Sequence, residues 1–248
     1  MYIISEFGTQ EAQRMGIDAS HLEVCVDTHA WRQRTPEDRA NLRQAYGYQE
    51  DDFIILTVAD NQERKNLAGA LEIFRDFARD KPNARYVLVT RVGNRVGWKL
   101  LDLINDFGIA DKVRLVERGL PFPELWGLYA MSDVFLLCAK AEGAGLPLLE
   151  AMSVGIPCVG TDWAAIHEHL RDGRGYLVPT EYEFIDPFGN GLRKFISKQE
   201  AVRTLDEIYA NGVDDAMLQK ARNYVEARRW PVVVSEFEKT LRELVEHG

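Results

Sequence analysis

The stretch Ser132-Asp-Val-Phe-Leu-Leu137, followed shortly by Glu142-Gly-Ala-Gly-Leu-Pro-Leu-Leu-Glu150, decides the fold. The first segment is an apolar run that predicts a buried strand. The two glycines of the second permit a tight turn and a close approach of a ligand to the backbone. Pro147 suits the first turn of a helix. A strand, a glycine-rich turn and a helix N-terminus together form a ready binding site for an anion.

Glu150 falls about one turn into this predicted helix, which we expect to end at Gly155. A carboxylate in that place can accept hydrogen bonds from two neighbouring hydroxyl groups of a ribose, as the acidic residue of dinucleotide-binding folds does. The pattern therefore predicts a nucleotide near the start of the helix.

Apolar runs and amphipathic segments alternate along the rest of the chain, with helices expected at Leu67–Arg79 and Pro123–Met131. The apolar runs predict six strands, near 53–58, 85–90, 112–116, 133–138, 156–160 and 176–178. Strands that alternate with helices imply a parallel sheet covered on both faces. We therefore predict an α/β fold with a Rossmann-like, doubly wound parallel sheet.

The residues around the two glutamates resemble a family signature. Retaining glycosyltransferases of the GT-B fold (glycosyl transferases group 1) carry an E-x7-E motif, in which Glu-Gly-Phe-Gly-Leu-Pro precedes Glu-Ala-Met-Ala-x-Gly-x-Pro-Val-Val. Glu142–Pro147 and Glu150–Val159 are similar to it, with Ala144 where phenylalanine is common. We expect the backbone at this position to matter more than the side chain. The resemblance implies the C-terminal, donor-binding half of a GT-B fold.

The resemblance also implies roles for the motif. Glu142 would approach the hydroxyl groups of the donor sugar as a catalytic residue, and Glu150 would bind the ribose. The backbone N–H groups that face the sugar and the phosphate would come from Gly143, Ala144, Gly145 and Leu146. Gly119 follows the third predicted strand, at the edge where such sheets bind ligands, and its backbone would pair with the nucleobase.

A second similarity lies in the polar loop Asp60–Asn66, which resembles the family's Val-Gly-Arg-…-Lys-Asn loop. Lys65 matches the lysine that holds the donor diphosphate. A fixed cation stabilises a diphosphate that gains negative charge as the glycosidic bond breaks, so Lys65 joins Glu142 as a predicted catalytic residue. Asp60 stands in place of the family's arginine and cannot do its work. Arg64 either compensates for it as a donor-binding residue or is a surface cation that caps the loop.

The two ends of the chain resemble the borders of one half of a two-domain enzyme. We interpret residues 1–50 as a remnant of the N-terminal domain and a linker, with strands at Met1–Ser5 and Glu23–Val26. Residues 51–228 would form the nucleotide-sugar-binding domain, and residues 229–248 the helix that crosses back to the N-terminal domain. The acceptor pocket would lie in an N-terminal domain of about 150 residues, a typical domain length. The expected protein partner is such a domain or a second copy of the chain.

Composition narrows the class of protein. Of the 248 residues, 46% are hydrophobic and 28% charged, which is ordinary for a globular protein. The net charge of −9 argues against nucleic acid as a partner. No apolar run approaches the ~20 residues of a membrane-spanning helix, so we expect no transmembrane segment. The scattered cysteines Cys25, Cys138 and Cys158 favour a reducing compartment, and we expect a cytoplasmic protein.

His167 and His169 raise the question of a metal site. They flank Glu168 with no evident third ligand, whereas zinc sites use three or four protein ligands. We predict no metal and no cofactor, the nucleoside-diphosphate sugar being a donor substrate.

The segment Thr180–Lys198 is the least similar to the family. We predict an aromatic-rich loop, with Tyr182, Phe184 and Phe188, that either contacts an acceptor or partner or packs on the edge of the core.

The predicted function is transfer of a sugar from a nucleoside-diphosphate sugar with retention. The alternative from another class is a non-catalytic nucleotide-sugar-binding or interaction module from a truncated GT-B protein. A sugar-nucleotide epimerase would need catalytic carboxylates and histidines across two domains, and a phosphorylase would need a lysine for pyridoxal phosphate; neither arrangement is evident. The sequence leaves the donor base, the sugar and the acceptor open.

Overall fold

The computed structural model describes residues 1–93, 97–187 and 190–247. The chain begins with a small unit in which β1 (Tyr2–Ile3) pairs in parallel with β2 (Ser20–His21), and α1 (Glu6–Arg14) connects the two strands. The strand predicted at Glu23–Val26 is wrong. Because β1 is only two residues long, the pairing ends where the Leu22 N–H donates to the Ile3 carbonyl at 2.9 Å, and residues 23–26 have no strand to pair with.

The main sheet confirms the predicted fold class. Its six strands, all parallel, are β3 (Phe53–Val58), β4 (Ala84–Thr90), β5 (Val113–Glu117), β6 (Val134–Leu137), β7 (Cys158–Thr161) and β8 (Tyr176–Val178). Their order across the sheet is β5–β4–β3–β6–β7–β8. This is the strand order of a Rossmann fold, and the order reverses between β3 and β6.

Helices separate the strands and cover the sheet. The remaining helices are α2 (Pro36–Tyr46), α3 (Leu67–Phe77), α4 (Leu100–Asp106), α5 (Phe122–Met131), α6 (Leu146–Val154), α7 (Ala164–Leu170), α8 (Lys198–Asn211), α9 (Asp215–Ala227) and α10 (Trp230–His247). Helix α3 packs against α4 and α8, while α2 packs against α5 and α6 against α9. The middle of β3 is buried completely, with Ile54, Ile55 and Leu56 each 0% exposed. Each such side chain contributes about 1.5–3 kcal/mol of hydrophobic stabilisation.

Helix α2 is fixed at its start by a capping box. The Thr35 hydroxyl accepts from the Asp38 N–H at 3.0 Å, and the Asp38 carboxylate accepts from the Thr35 N–H at 2.8 Å. At the other end Gly47 takes a left-handed conformation with φ 80°. Such caps satisfy backbone groups that the helix leaves without partners.

A buried arginine ties α2 to the sheet. The Arg43 side chain is 2% exposed, and its guanidinium group donates to the Asp133 carboxylate at 2.5 Å. It also donates to the carbonyls of Met131, Glu50 and Asp52 at 3.0, 2.8 and 2.7 Å. Asp133 in turn accepts from the Ile54 N–H at 2.7 Å and from Arg39 at 2.6 Å. The helix is therefore locked to the amino ends of β3 and β6.

The predicted loop at residues 180–198 is a β-hairpin. Strands β9 (Thr180–Ile185) and β10 (Leu192–Ile196) pair antiparallel, and α8 follows directly. The rings of Tyr182 and Phe195 stack with centroids 4.1 Å apart across the two strands, which stabilises the pairing. Phe188 lies outside the described residues.

At the C-terminus, α9 ends at Ala227 and α10 begins at Trp230, so the break precedes Trp230. Pro231 fits inside the first turn of α10, where a missing N–H has no cost. Within the described ranges, no helix combines the length and the apolarity that a bilayer crossing requires. The three cysteines are buried and unpaired, and burial raises the pKa of the Cys138 and Cys158 thiols.

Candidate functional site

A cleft of about 450 Å³ opens at the carboxyl edge of the main sheet. It is lined by the last residues of β3 and β4, by Arg118 and Gly119 after β5, and by Pro147 at the start of α6. In open α/β sheets, ligands bind outside the carboxyl ends of the strands, where the strand order reverses. The cleft is therefore in the place where a ligand is expected from the fold alone.

Lys65 and Arg64 line this cleft and meet Glu142. A short 3-10 helix, Glu63–Lys65, positions both cations after β3. The Lys65 ammonium group pairs with one oxygen of the Glu142 carboxylate, and Arg64 donates to the other at 3.2 Å. The Glu142 side chain is only 5% exposed and that of Lys65 11%. Burial lowers the pKa of Lys65, and the neighbouring Glu142 carboxylate opposes this shift.

Glu142 belongs to a glycine-rich loop, residues 138–145, that connects β6 to α6. Gly145 ends this loop in a left-handed conformation with φ 65°, and a Cβ there would lie 3.2 Å from the His169 ring. At Gly143 a Cβ would meet no atom within 4 Å. The packing of the protein thus requires glycine at 145, while the space beside Gly143 is open. Leu146 begins α6 and is 40% exposed.

Glu150 lies one turn into α6, as predicted, and is already held by a buried partner. The Tyr129 hydroxyl, on a fully buried ring, donates to one Glu150 carboxylate oxygen at 2.6 Å. Burial raises the pKa of Glu150, and the bond from Tyr129 opposes this shift. The bond from Tyr129 therefore fixes the orientation of the Glu150 carboxylate through one of its oxygens.

Two arginines whose side chains the sequence did not predict as part of the site pair with an aspartate that lines the cleft. Arg91 follows β4 and Arg118 follows β5, and both pair with Asp60, at 2.9 and 3.3 Å. Burial works against the charge of Asp60, but the two guanidinium groups outweigh it and lower the pKa of the carboxyl group. Gly119, the next residue, has φ 96° and lines the same cleft. Their position after neighbouring strands was the available signal, because the carboxyl ends of parallel strands share one edge.

The cleft is positive although the protein is negative. Lys65, Arg64, Arg91 and Arg118 bring four positive charges, and Asp60 and Glu142 bring two negative ones. These six side chains therefore carry a net charge of +2, against −9 for the whole chain. An anionic ligand is attracted to such a local field in spite of the overall charge.

His169, considered above as a metal ligand, supports the glycine-rich loop instead. Its Nε2–H donates to the Ala144 carbonyl at 2.6 Å, and its Nδ1 accepts from the Tyr224 hydroxyl at 3.1 Å. Burial lowers the pKa of His169 to about 4; the bond to Ala144 opposes the shift, and the charge of Arg228 adds to it. His167 pairs separately with Asp162 at 2.5 Å.

Comparison with known proteins gives the class. The model of the family "Glycosyl transferases group 1" matches residues 38–211. The match spans most of the chain, including the cleft, the glycine-rich loop and the first turn of α6. This chain belongs to the glycosyl transferases group 1 family.

Individual relatives agree with this assignment. The chain is 31% identical over 171 residues to the N-acetyl-alpha-D-glucosaminyl L-malate synthase of Bacillus anthracis. The aligned region covers 68% of this chain and 42% of that protein. The chain thus spans about two fifths of the length of this curated relative.

Solved structures share the fold. The sucrose-phosphate synthase of Thermosynechococcus elongatus superposes with a TM-score of 0.81 at 16% identity, over 100% of this chain and 58% of that one. Anabaena HepE, solved in complex with UDP and glucose, superposes with a TM-score of 0.79 at 18% identity, over 98% of this chain and 62% of that one. At these identities the likeness concerns the fold, which is that of the GT-B glycosyltransferases.

Proposed function

We propose that this chain binds the nucleoside-diphosphate sugar donor of a glycosyltransferase and presents it for transfer with retention. The observation that carries the proposal is the pair of cations, Lys65 and Arg64, held against the buried Glu142 at the edge of the cleft. Membership of the glycosyl transferases group 1 family supports it.

The strand order suggests how a donor would lie. Gly119 after β5 and Lys65 after β3 both line the cleft, and Glu142 after β6 contacts Lys65. A nucleobase near Gly119 would place the ribose near Glu150, the diphosphate at Lys65 and Arg64, and the sugar at Glu142 and the glycine-rich loop. The net charge of +2 on the six charged side chains described above would attract a negatively charged diphosphate.

The chemistry follows from the charges. When the bond between the sugar and the diphosphate breaks, negative charge grows on the leaving phosphate, and fixed cations stabilise that charge more than the ground state. Lys65 and Arg64 are already neutralised in part by Glu142. A bound diphosphate would take over the Lys65 ammonium group and free the Glu142 carboxylate for a sugar hydroxyl.

The experiment is calorimetric titration of the chain with uridine and UDP, and with GDP and ADP in parallel because the base is open. UDP is the first choice, since the structural relative HepE was solved with it. Lys65→Ala is expected to weaken diphosphate binding by about 1.5–3 kcal/mol, the range for hydrogen bonds to charged groups. The nucleoside should bind as before.

Lys239→Ala is the matched control, because the Lys239 side chain is 78% exposed on α10. It should leave both affinities unchanged. If none of the three diphosphates binds, the proposal fails. If Lys65→Ala weakens nucleoside and diphosphate equally, Lys65 is not the phosphate cation.

A further inference from the structure

Lys140, two residues before Glu142, is a buried lysine surrounded by aromatic rings. Its side chain is 3% exposed, and its ammonium group pairs with Glu63. The nitrogen lies 4.4, 5.7 and 5.9 Å from the ring centroids of Phe195, Phe184 and Trp98. Cations are attracted to aromatic faces within about 6 Å, more strongly when water is excluded.

The partners of Lys140 come from three separate parts of the chain. Phe184 and Phe195 belong to the β9–β10 hairpin, and Glu63 begins the 3-10 helix that carries Arg64 and Lys65. Trp98 precedes α4, and Asn61 holds its backbone. The Asn61 side chain accepts from the Trp98 N–H at 2.8 Å and donates to the Trp98 carbonyl at 2.9 Å.

The backbone of Lys140 joins the same elements. Its N–H donates to the Arg64 carbonyl at 2.8 Å, and its carbonyl accepts from the Lys194 N–H of β10 at 3.1 Å. The backbone of Lys140 therefore hydrogen-bonds the glycine-rich loop to the 3-10 helix on one side and to the hairpin on the other.

A buried ion pair is costly for a fold, and replacing both of its partners by apolar side chains of similar volume is often neutral or stabilising. Lys140 itself is too enclosed to contact a ligand in the cleft. We infer that Lys140 is a positioning residue: through Glu63 and the hairpin aromatics it holds Arg64 and Lys65 in register with Glu142. The hairpin thus helps to hold the residues of the proposed donor site in place. This inference rests on the proposed function for its effect on ligand binding.

The test compares Lys140→Met with Lys112→Met. Lys112 is a matched control, since its partly buried ammonium group donates to the carbonyls of Ala78 and Lys81 at 2.9 and 2.7 Å, at the amino end of β5 and far from the cleft edge. Hydrogen exchange is measured at the amides of residues 140 and 194, and UDP affinity by calorimetry.

Lys140→Met is expected to speed exchange at both amides by about tenfold, because these bonds then open locally. It is expected to weaken UDP binding by about tenfold or more, since small misplacements at a site have large effects. Lys112→Met should lower the melting temperature without changing either readout. Lys140→Arg, which keeps the charge, should bind UDP within about threefold of the original chain.

Folded Lys140→Met that binds UDP as tightly as the original chain, with both amides still protected, would overturn the inference. If Lys140→Met does not fold, Glu63→Gln replaces it, with a smaller change expected in the same two amides and in UDP affinity; no change in either would equally overturn the inference. If the original chain binds no nucleoside diphosphate, the proposed function fails, while the exchange measurement still decides whether Lys140 holds these elements together.

Discussion

His169 supports the glycine-rich loop and makes the stability of the fold depend on pH. In the folded protein it is 6% exposed and neutral, because burial lowers its pKa from 6.5 to about 4. Its two ring nitrogens join Tyr224 of α9 to the Ala144 carbonyl. The side chain that looked like half of a metal site is thus a support for the loop that carries Glu142.

We predict that His169 makes the fold less stable as pH falls from 6.5 towards 4. The unfolded chain takes up a proton in this window and the folded chain does not, so the contribution is complete above pH 6.5. By pH 5 the loss from this one group is roughly 2 kcal/mol. Urea denaturation at pH 7.5 and pH 5 measures it. In His169→Gln the difference between the two pH values should be smaller by that amount.

His29→Gln serves as the control, because His29 is exposed and should leave the difference as in the original chain. Carboxylates contribute equally to all three proteins and cancel. An unchanged difference in His169→Gln would show that folding does not lower the pKa of this imidazole.

At the same scale, the sequence predicted which residue types the site uses but not all of their partners. Lys65, Arg64 and Glu142 lie together in the structure. The sequence could assign them to one site because the family resemblance covers both of their loops, which are far apart along the chain. The pairing of Asp60 with Arg91 and Arg118 depends on side-chain directions at three strand ends, which no local pattern contains. Whether these residues bind a donor stays a prediction.

At the scale of elements, Arg43 ties α2 to the sheet through four hydrogen bonds. We predict that Arg43→Met destabilises the fold by about 3–5 kcal/mol, because removing one partner of a buried pair leaves a poorly compensated charge. Four hydrogen bonds from α2 to the amino ends of β3 and β6 and the segments before them are lost with it. Chemical denaturation at neutral pH measures the difference.

Arg39→Met is the matched comparison on the same helix and the same carboxylate. The Arg39 side chain is 31% exposed, so its pair with Asp133 should contribute about 1 kcal/mol or less. Equal losses for the two variants would mean that burial of the guanidinium group has no special weight here.

The six parallel strands could be predicted because each is a run of mainly apolar residues, and the helices between them because amphipathic segments alternate with these runs. The hairpin at 180–196 was missed, although aromatic residues at 182 and 184 alternate as in a strand. The connection between its strands, residues 186–191, contains Asn190-Gly191 but is longer than a two-residue hairpin turn. Lys140, which packs against Phe195, is brought there by the tertiary fold. The error at Glu23–Val26 has the same origin, since a strand needs a partner that sequence alone does not supply.

At the scale of the whole molecule, the proposed donor site is contained within one sheet. Its residues lie between the end of β3 and the first turns of α6, and the six-stranded core is complete around them. Donor binding should therefore be a property of this chain by itself. Transfer also requires an acceptor held next to the sugar. The resemblance to GT-B enzymes implies that the acceptor binds in a second domain.

The last prediction is that the 248-residue chain binds a nucleoside-diphosphate sugar but transfers the sugar very slowly. The chain spans 42% of the length of the Bacillus anthracis relative. Holding two reactants together supplies roughly 7–11 kcal/mol of a barrier, and these residues would forgo most of it where the acceptor binds in a second domain. We expect turnover several orders of magnitude below that of the full-length relative, assayed in parallel with UDP-glucose, UDP-N-acetylglucosamine and a panel of hydroxyl acceptors. Rapid transfer by the purified chain would place an acceptor site within these residues. The cleft between α1 and α7, where Asp162 pairs with His167, would then be the first region to mutate.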